Sequence, residues 1–134
     1  MSLHRVIYVS DAAEIAATSL LTLVDILGAS ERNNRRDHIT GVLILHSGKF
    51  LQWVEGARLD LDRLMARISQ DPRHKNLVVL SDLPITERSF PDWSMVQVQA
   101  DPPLVGKLSA TLTPKDADDV ERLMRSAVLA RAAH

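Results

Sequence analysis

Lys49-Phe50-Leu51-Gln52-Trp53-Val54-Glu55-Gly56 decides how the rest of this chain is read. It has the composition of a short strand, largely apolar and bracketed by Gly48 and Gly56. Side chains alternate between the two faces of a strand, so Gln52 shares its face with Phe50 and Val54, while Leu51 and Trp53 point the other way. A primary amide in that setting needs partners, because an unpaired buried amide costs about 1–3 kcal/mol. Either Gln52 looks into solvent from an edge strand, or something specific receives it.

Working outward, His38-Ile39-Thr40-Gly41-Val42-Leu43-Ile44-Leu45 is a second, more continuously apolar strand and is expected to be central. His46-Ser47-Gly48-Lys49 joins the two as a tight hairpin. Upstream, His4-Arg5-Val6-Ile7-Tyr8-Val9-Ser10 is a β-branched strand with Val6, Tyr8 and Ser10 on one face. A helix follows, with Thr18 preferred over Asp11 as its cap and Leu20, Leu23, Val24 and Leu27 as its apolar stripe. Gly28 weakens its last turn, and residues 30–37 form a polar exit loop. Downstream, Leu61, Leu64, Met65 and Ile68 repeat the helical spacing, and Asp71-Pro72 ends that helix because a residue before proline is pushed out of the helical region. Residues 76–83 give a fourth strand, 84–91 a loop, and Trp93-Ser94-Met95-Val96-Gln97-Val98 a fifth strand on which Trp93 and Met95 share a face.

The order β-α-β-β-α-β-β predicts an α+β fold, a ferredoxin-like mixed five-stranded sheet with two helices on one face. Thr113-Pro114-Lys115-Asp116 opens a further helix with Val120, Leu123, Met124 and Ala127 as its stripe. That helix is expected to cover the bare sheet face or to meet a second subunit. Asp101-Pro102-Pro103 separates a sheet unit, residues 1–100, from a helical extension, residues 101–134.

Composition bounds the function. The 134 residues suit one domain, 46% apolar and 25% charged, with a net charge of −1 that argues against general nucleic-acid binding. No run is long enough to span a membrane, and the N-terminus lacks a signal peptide's apolar core, so a cytoplasmic protein is expected. The absence of cysteine removes disulfides, thiolate metal sites, cysteine nucleophiles and photochemistry through a cysteinyl adduct. His4, His38, His46, His74 and His134 show no metal-ligand spacing, so no metal is expected. There is no glycine-rich phosphate loop and no nucleophile elbow. What remains is a group of aromatic and hydrogen-bonding side chains: Tyr8, Gln52, Trp93 and Met95 on strands, with Asn33 and Asn34 closing the first helix. If the fifth strand lay beside the first or third, these would converge on a space suited to a flat heteroaromatic ligand.

Several segments then resemble one family. Residues 5–10, Ser30-Glu31-Arg32-Asn33-Asn34 running into Ile39-Thr40-Gly41-Val42-Leu43, Gly48 to Gly56, Arg67-Ile68, Asp71-Pro72-Arg73-His74 and Phe90-Pro91-Asp92-Trp93-Ser94-Met95 follow in order and spacing the pattern of BLUF domains, the flavin-binding blue-light sensors. The match covers residues 2–98 and is similar to short BLUF proteins without a recognisable output domain. The resemblance implies non-covalent FAD, with FMN as the alternative because Arg73 and His74 could serve either phosphate. It implies Tyr8 as electron and proton donor, and Gln52 as the amide between Tyr8 and the flavin edge. Asn33 and Asn34 fall at the polar edge, where Asn34 would hold it. Ile26 would line the ring, Arg67 and Asp71 would lie on the ribityl side, and Trp93 or Met95 would stand beside Gln52 and relay the change. Trp53, next in sequence to Gln52, is expected near the flavin as a competing electron donor. His38 stands where the family often has a small residue. The implied function is a blue-light photoreceptor, not an enzyme, acting on an unidentified protein in trans or as a homodimer. Its rivals are a non-photoactive ferredoxin-like interaction module and a flavin-dependent redox enzyme.

Overall fold

The computed structural model describes residues 3–12, 36–91, 93 and 96–132. Strand β1 (Leu3–Ala12) pairs antiparallel with β3 (Lys49–Ala57) on one side and with β4 (His74–Ile85) on the other. Strand β2 (Thr40–His46) pairs antiparallel with β3, and β5 (Val96–Gln97) pairs parallel with β2, so the five-stranded mixed sheet runs β4-β1-β3-β2-β5. The strand that carries Gln52 is therefore the middle one, and the edge-strand alternative falls away.

Local chemistry explains the pairing. Ser47 and Gly48 both have positive φ, 50° and 76°, the requirement of a two-residue type I′ turn whose twist matches the flanking strands. At Gly41 the backbone has φ 156°, and a Cβ there would stand 1.9 Å from the Trp53 carbonyl oxygen, so only glycine lets β2 approach β3 at this point.

Each face of the sheet carries its own layer. Val6, Tyr8, Ile39 and Val54 face helix α1 (Arg58–Gln70) and bury its Leu61, Leu64 and Ile68. That helix stops at Asp71, whose φ of −80° and ψ of 119° are extended, as Pro72 demands. The other face presents Ile7, Val9, Val42, Ile44, Leu51 and Trp53 to two helices, α2 (Pro102–Leu108) and α3 (Ala117–Ala132). The start of α3 follows the predicted cap: the Thr113 N–H donates to Asp116 Oδ2 at 2.9 Å, beside a 3-10 turn over Pro114–Asp116. Its stripe of Val120, Leu123, Met124 and Ala127 is buried on the chain's own sheet.

The fifth strand departs from expectation. Its described part is Val96–Gln97, and it lies at the outer edge of β2, separated from β1 by two strands. Residue 93 is not itself in strand conformation, so strand alternation does not govern where Trp93 points. The region after residue 100 also holds more structure than expected. Asp101 accepts from the Leu104 N–H at 3.2 Å and Pro102 occupies the first turn, so Asp101-Pro102-Pro103 is a helix start. The helix predicted on Leu20, Leu23, Val24 and Leu27 lies outside the described residues.

Candidate functional site

The antiparallel register of β1 and β3 sets Tyr8 directly opposite Gln52. Both side chains project toward the α1 layer, both are buried, and the Tyr8 hydroxyl donates to the Gln52 side-chain carbonyl. This answers the question posed by the polar residue in an apolar strand: its acceptor end is held by the one tyrosine of the chain. Burial pushes the Tyr8 phenol far above the ordinary tyrosine range, and the charge of Asp71 adds to the effect. The phenol is therefore neutral, and losing an electron without losing its proton would leave an unsolvated cation in this layer.

A polar rim continues from this pair. Ser10, two residues along the same face, lies 2.7 Å from His74 Nδ1. The His74 ring tilts over Phe50 at 4.6 Å and meets Tyr8 edge-on at 6.3 Å. Burial holds His74 below the usual histidine value, opposed by the charge of Asp71 and assisted by that of Arg73. Asp71 and Arg73 form a fork, with Arg73 Nη2 at 2.8 Å from Oδ2 and the Arg73 main-chain N–H at 2.9 Å from Oδ1. The hydrogen bond from Arg73 keeps the Asp71 carboxyl below its ordinary range although burial works against it. Arg67 donates to Asp37 at 3.2 Å, a pairing not anticipated from the sequence.

Of the residues named from the sequence, Tyr8, Gln52, Asp71, Arg73 and His74 are thus grouped around one end of β1 and β3, and Arg67 follows Leu64 on α1. Ile26, Asn33, Asn34 and Met95 lie outside the described residues.

The two tryptophans belong to the opposite layer. Trp53, adjacent to Gln52 in sequence, points away from it as strand alternation requires. The guanidinium groups of Arg5 and Arg125 lie over its ring, 4.9 and 4.8 Å from the centroid. Trp53 was expected near the flavin; the structure puts it across the sheet from Gln52. Trp93 packs on the same layer, stacked with Phe90 at 5.7 Å, while Phe90 meets Trp53 edge-on at 5.1 Å. Its carbonyl accepts from the Gly41 N–H at 2.7 Å. In this structure, then, Trp93 stands across the sheet from Gln52, not beside it.

Sequence reasoning passed over two polar features of that second layer. Arg5 makes a two-pronged pair with Glu121 of α3, at 2.8 and 3.1 Å. Glu55, fully buried on β3, accepts from the main-chain N–H groups of Ser89 and Phe90. The signal for Glu55 was present: an ionisable residue in an apolar strand poses the same question as Gln52. Among the described residues, no group of three or more His, Asp or Glu is placed to hold a metal, and no helix is long and apolar enough to cross a membrane.

Comparison with known proteins points one way. A family model, BLUF, described as sensors of blue light using FAD, matches residues 3–96. The α subunit of photoactivated adenylate cyclase from Euglena gracilis is 36% identical over 93 residues, which cover 69% of this chain but 9% of that protein. The chain spans about a tenth of the length of the curated relatives it matches. Among solved structures, the dark state of BlrB, a BLUF protein, superposes with a TM-score of 0.77 at 32% identity, covering 97% of each chain. A bacterial light-regulated adenylyl cyclase gives a TM-score of 0.68 at 30% identity, covering 98% of this chain and 36% of that one.

Proposed function

This chain belongs to the BLUF family of blue-light sensors using FAD, and from that premise we propose that it binds FAD against the Tyr8–Gln52 face of its sheet and signals by a light-driven hydrogen-bond switch at Gln52. The observation that carries this reading is the buried hydrogen bond from the Tyr8 hydroxyl to the Gln52 amide across the adjacent inner strands β1 and β3.

The residues present suit a flavin. The wall formed by Tyr8, Gln52 and Val54 is neutral at its centre and bears one amide with a donor end and an acceptor end. With the Tyr8 hydroxyl on Oε1, the NH2 end of Gln52 is the end that suits the acceptor edge of the ring. Arg67 and Asp71 suit the ribityl side, and Arg73 and His74 at the rim suit a phosphate. Ile26, Asn33 and Asn34 complete the assignment, with Asn34 at the polar edge of the ring. FMN is the competing cofactor, and the mass of the flavin released on denaturation separates the two.

A bound flavin, excited by blue light, would supply a one-electron oxidant. Tyr8 would be the electron donor, with its hydroxyl proton held on the hydrogen bond to Gln52 Oε1. Gln52, by rotating or tautomerising, exchanges its donor and acceptor ends without net movement of charge. Met95 then passes the altered hydrogen bonding to β5, and α3 presents it to a partner protein in trans. Residues 1–100 are the sensing unit, residues 101–134 are its extension, and the chain acts as a sensor and not as an enzyme.

Purified protein should be yellow and show a small reversible red shift of its flavin absorbance under blue light. Gln52→Leu should keep the flavin and abolish the shift. A colourless protein that takes up no flavin would favour a non-photoactive interaction module, and a normal shift in Gln52→Leu would remove Gln52 from the mechanism.

A further inference from the structure

Three residues beyond Gln52 on the central strand, the Glu55 carboxylate is out of solvent altogether. Its two oxygens accept from the Ser89 N–H at 2.9 and 3.0 Å, and Oε1 accepts from the Phe90 N–H at 3.0 Å. The neighbouring guanidinium of Arg88 bonds elsewhere, to the Glu55 main-chain carbonyl and to the Thr40 hydroxyl, each at 2.9 Å. A buried carboxylate is tolerated only where charge-assisted hydrogen bonds replace its water. Here main-chain N–H groups of residues 89 and 90 provide them, so this loop cannot lift from β3 without stranding an ionised group. The loop in turn carries Phe90, which contacts Trp53 and stacks on Trp93. One strand thus holds Gln52 toward one layer and, through Glu55, grips the Phe90–Trp93 segment in the other.

We propose that Glu55 is a positioning residue that couples Gln52 to Trp93, so that a rearrangement on the Tyr8 face reaches the opposite layer through the Glu55 hydrogen bonds. This rests on Gln52 being the light switch. Both tryptophans of the chain lie in the receiving layer, so intrinsic tryptophan emission reports that layer alone.

The test compares the flavin-bound full chain with its Glu55→Gln variant. Glu55→Gln should keep the red shift, which reads only the Gln52 side, while the light-minus-dark change in tryptophan emission falls roughly fivefold or more, the scale of coupling between linked sites. In the dark, exchange of the Ser89 and Phe90 amide hydrogens should speed up roughly tenfold or more as charged hydrogen bonds are lost. An unchanged emission response beside an intact red shift overturns the proposal, as does a wild-type protein with a red shift and no emission change. If Glu55→Gln fails to fold, Glu55→Asp decides. It keeps the charge but draws the carboxylate one methylene back from the Ser89 and Phe90 N–H groups, and an unchanged emission response beside an intact red shift there equally overturns the coupling. Absence of any red shift in the wild type strikes the flavin reading itself. The exchange measurement still judges the joint in that case, since equal amide exchange in Glu55→Gln and wild type excludes it.

Discussion

The two faces of this sheet use polarity in opposite ways. On the α1 face, polar groups are neutral at the centre: a phenol whose ionisation burial forbids, bonded to an amide that can exchange donor for acceptor. On the α3 face, polar groups are ionised and tied down: Arg5 to Glu121, Arg125 to Glu121 at 3.2 Å, and Glu55 to main-chain N–H groups. A neutral hydrogen-bonded pair can rearrange at little electrostatic expense. A buried ion pair cannot, because breaking it leaves a charge without solvent. The first face is built to change and the second to hold its shape and move as a unit.

Adjacent aromatics on opposite faces give the sharpest contrast. Tyr8→Phe removes the donor to Gln52, and complete loss of the light-induced red shift is expected with flavin retained. Trp53→Phe should leave the shift intact, because that ring is screened from the Gln52 side by the sheet. Its effect should be on stability, about 1 kcal/mol from lost apolar area and cation–π contact, partly offset because the Trp53 Nε1–H has no acceptor among the described residues. A red shift lost in Trp53→Phe would collapse the distinction between the faces.

Gly41 sits where β2, β3 and the Trp93 carbonyl meet. Gly41→Ala forces a Cβ onto the Trp53 carbonyl, and a loss of about 3 kcal/mol or more is expected from overpacking and backbone strain together, read from the denaturation midpoint. A near-wild-type midpoint would mean that β2 and β3 can separate more easily than this register implies. Glu121→Ala should cost about 2 kcal/mol, below the range for a fully buried pair because Glu121 is a quarter exposed. Its red shift should be normal. Burial opposes the ionisation of Glu121, yet Arg5 and Arg125 hold its carboxyl below the ordinary value, so this contribution exists at neutral pH and fades in acid.

The contrast between faces was half visible in the sequence. Alternation alone placed Tyr8 with Val6 and Gln52 with Val54, and both residues do share a face in the structure. The α3 stripe and its Thr113 cap were equally legible, because helical spacing and capping are local. Trp93 was not legible in this way. Its position depends on how this segment joins β2, a long-range pairing seen at Val96 and Gln97, and period-two alternation was extended to residue 93, which is not in strand conformation. Trp53 was assigned by nearness in sequence to Gln52, where the same alternation rule already sent it to the other face. Glu55 went unread because its partners are main-chain N–H groups of a loop, which leave no mark in side-chain identities. Arg5 and Glu121 lie 116 residues apart, beyond any local pattern.

The smallest expected effects come from titration, and they test whether the switching face is as neutral as its geometry implies. Tyr8 is the only tyrosine, so tyrosinate absorbance reports it alone. Its folded pKa is raised above the unfolded value of 10.0, so the neutral phenol favours the folded state. That contribution is complete below pH 10 and declines above it, where the unfolded chain begins to ionise. Native protein should therefore show no tyrosinate step at the ordinary tyrosine pKa, and the absorbance should rise only together with unfolding. His74 acts in the opposite sense. Its folded pKa is lowered from 6.5 by burial, so its contribution is present above that pH and is lost as the pH falls below it, when the unfolded imidazole protonates first. Replacing it by His74→Gln should flatten part of the acid limb of the stability curve and leave the alkaline limb unchanged. If His74→Gln leaves the acid limb as steep as in the wild type, the ring beside Ser10 and Phe50 is better solvated than its packing implies. A tyrosinate step near pH 10 in folded protein would be the more serious result, since a phenol that ionises in place is not sealed against Gln52.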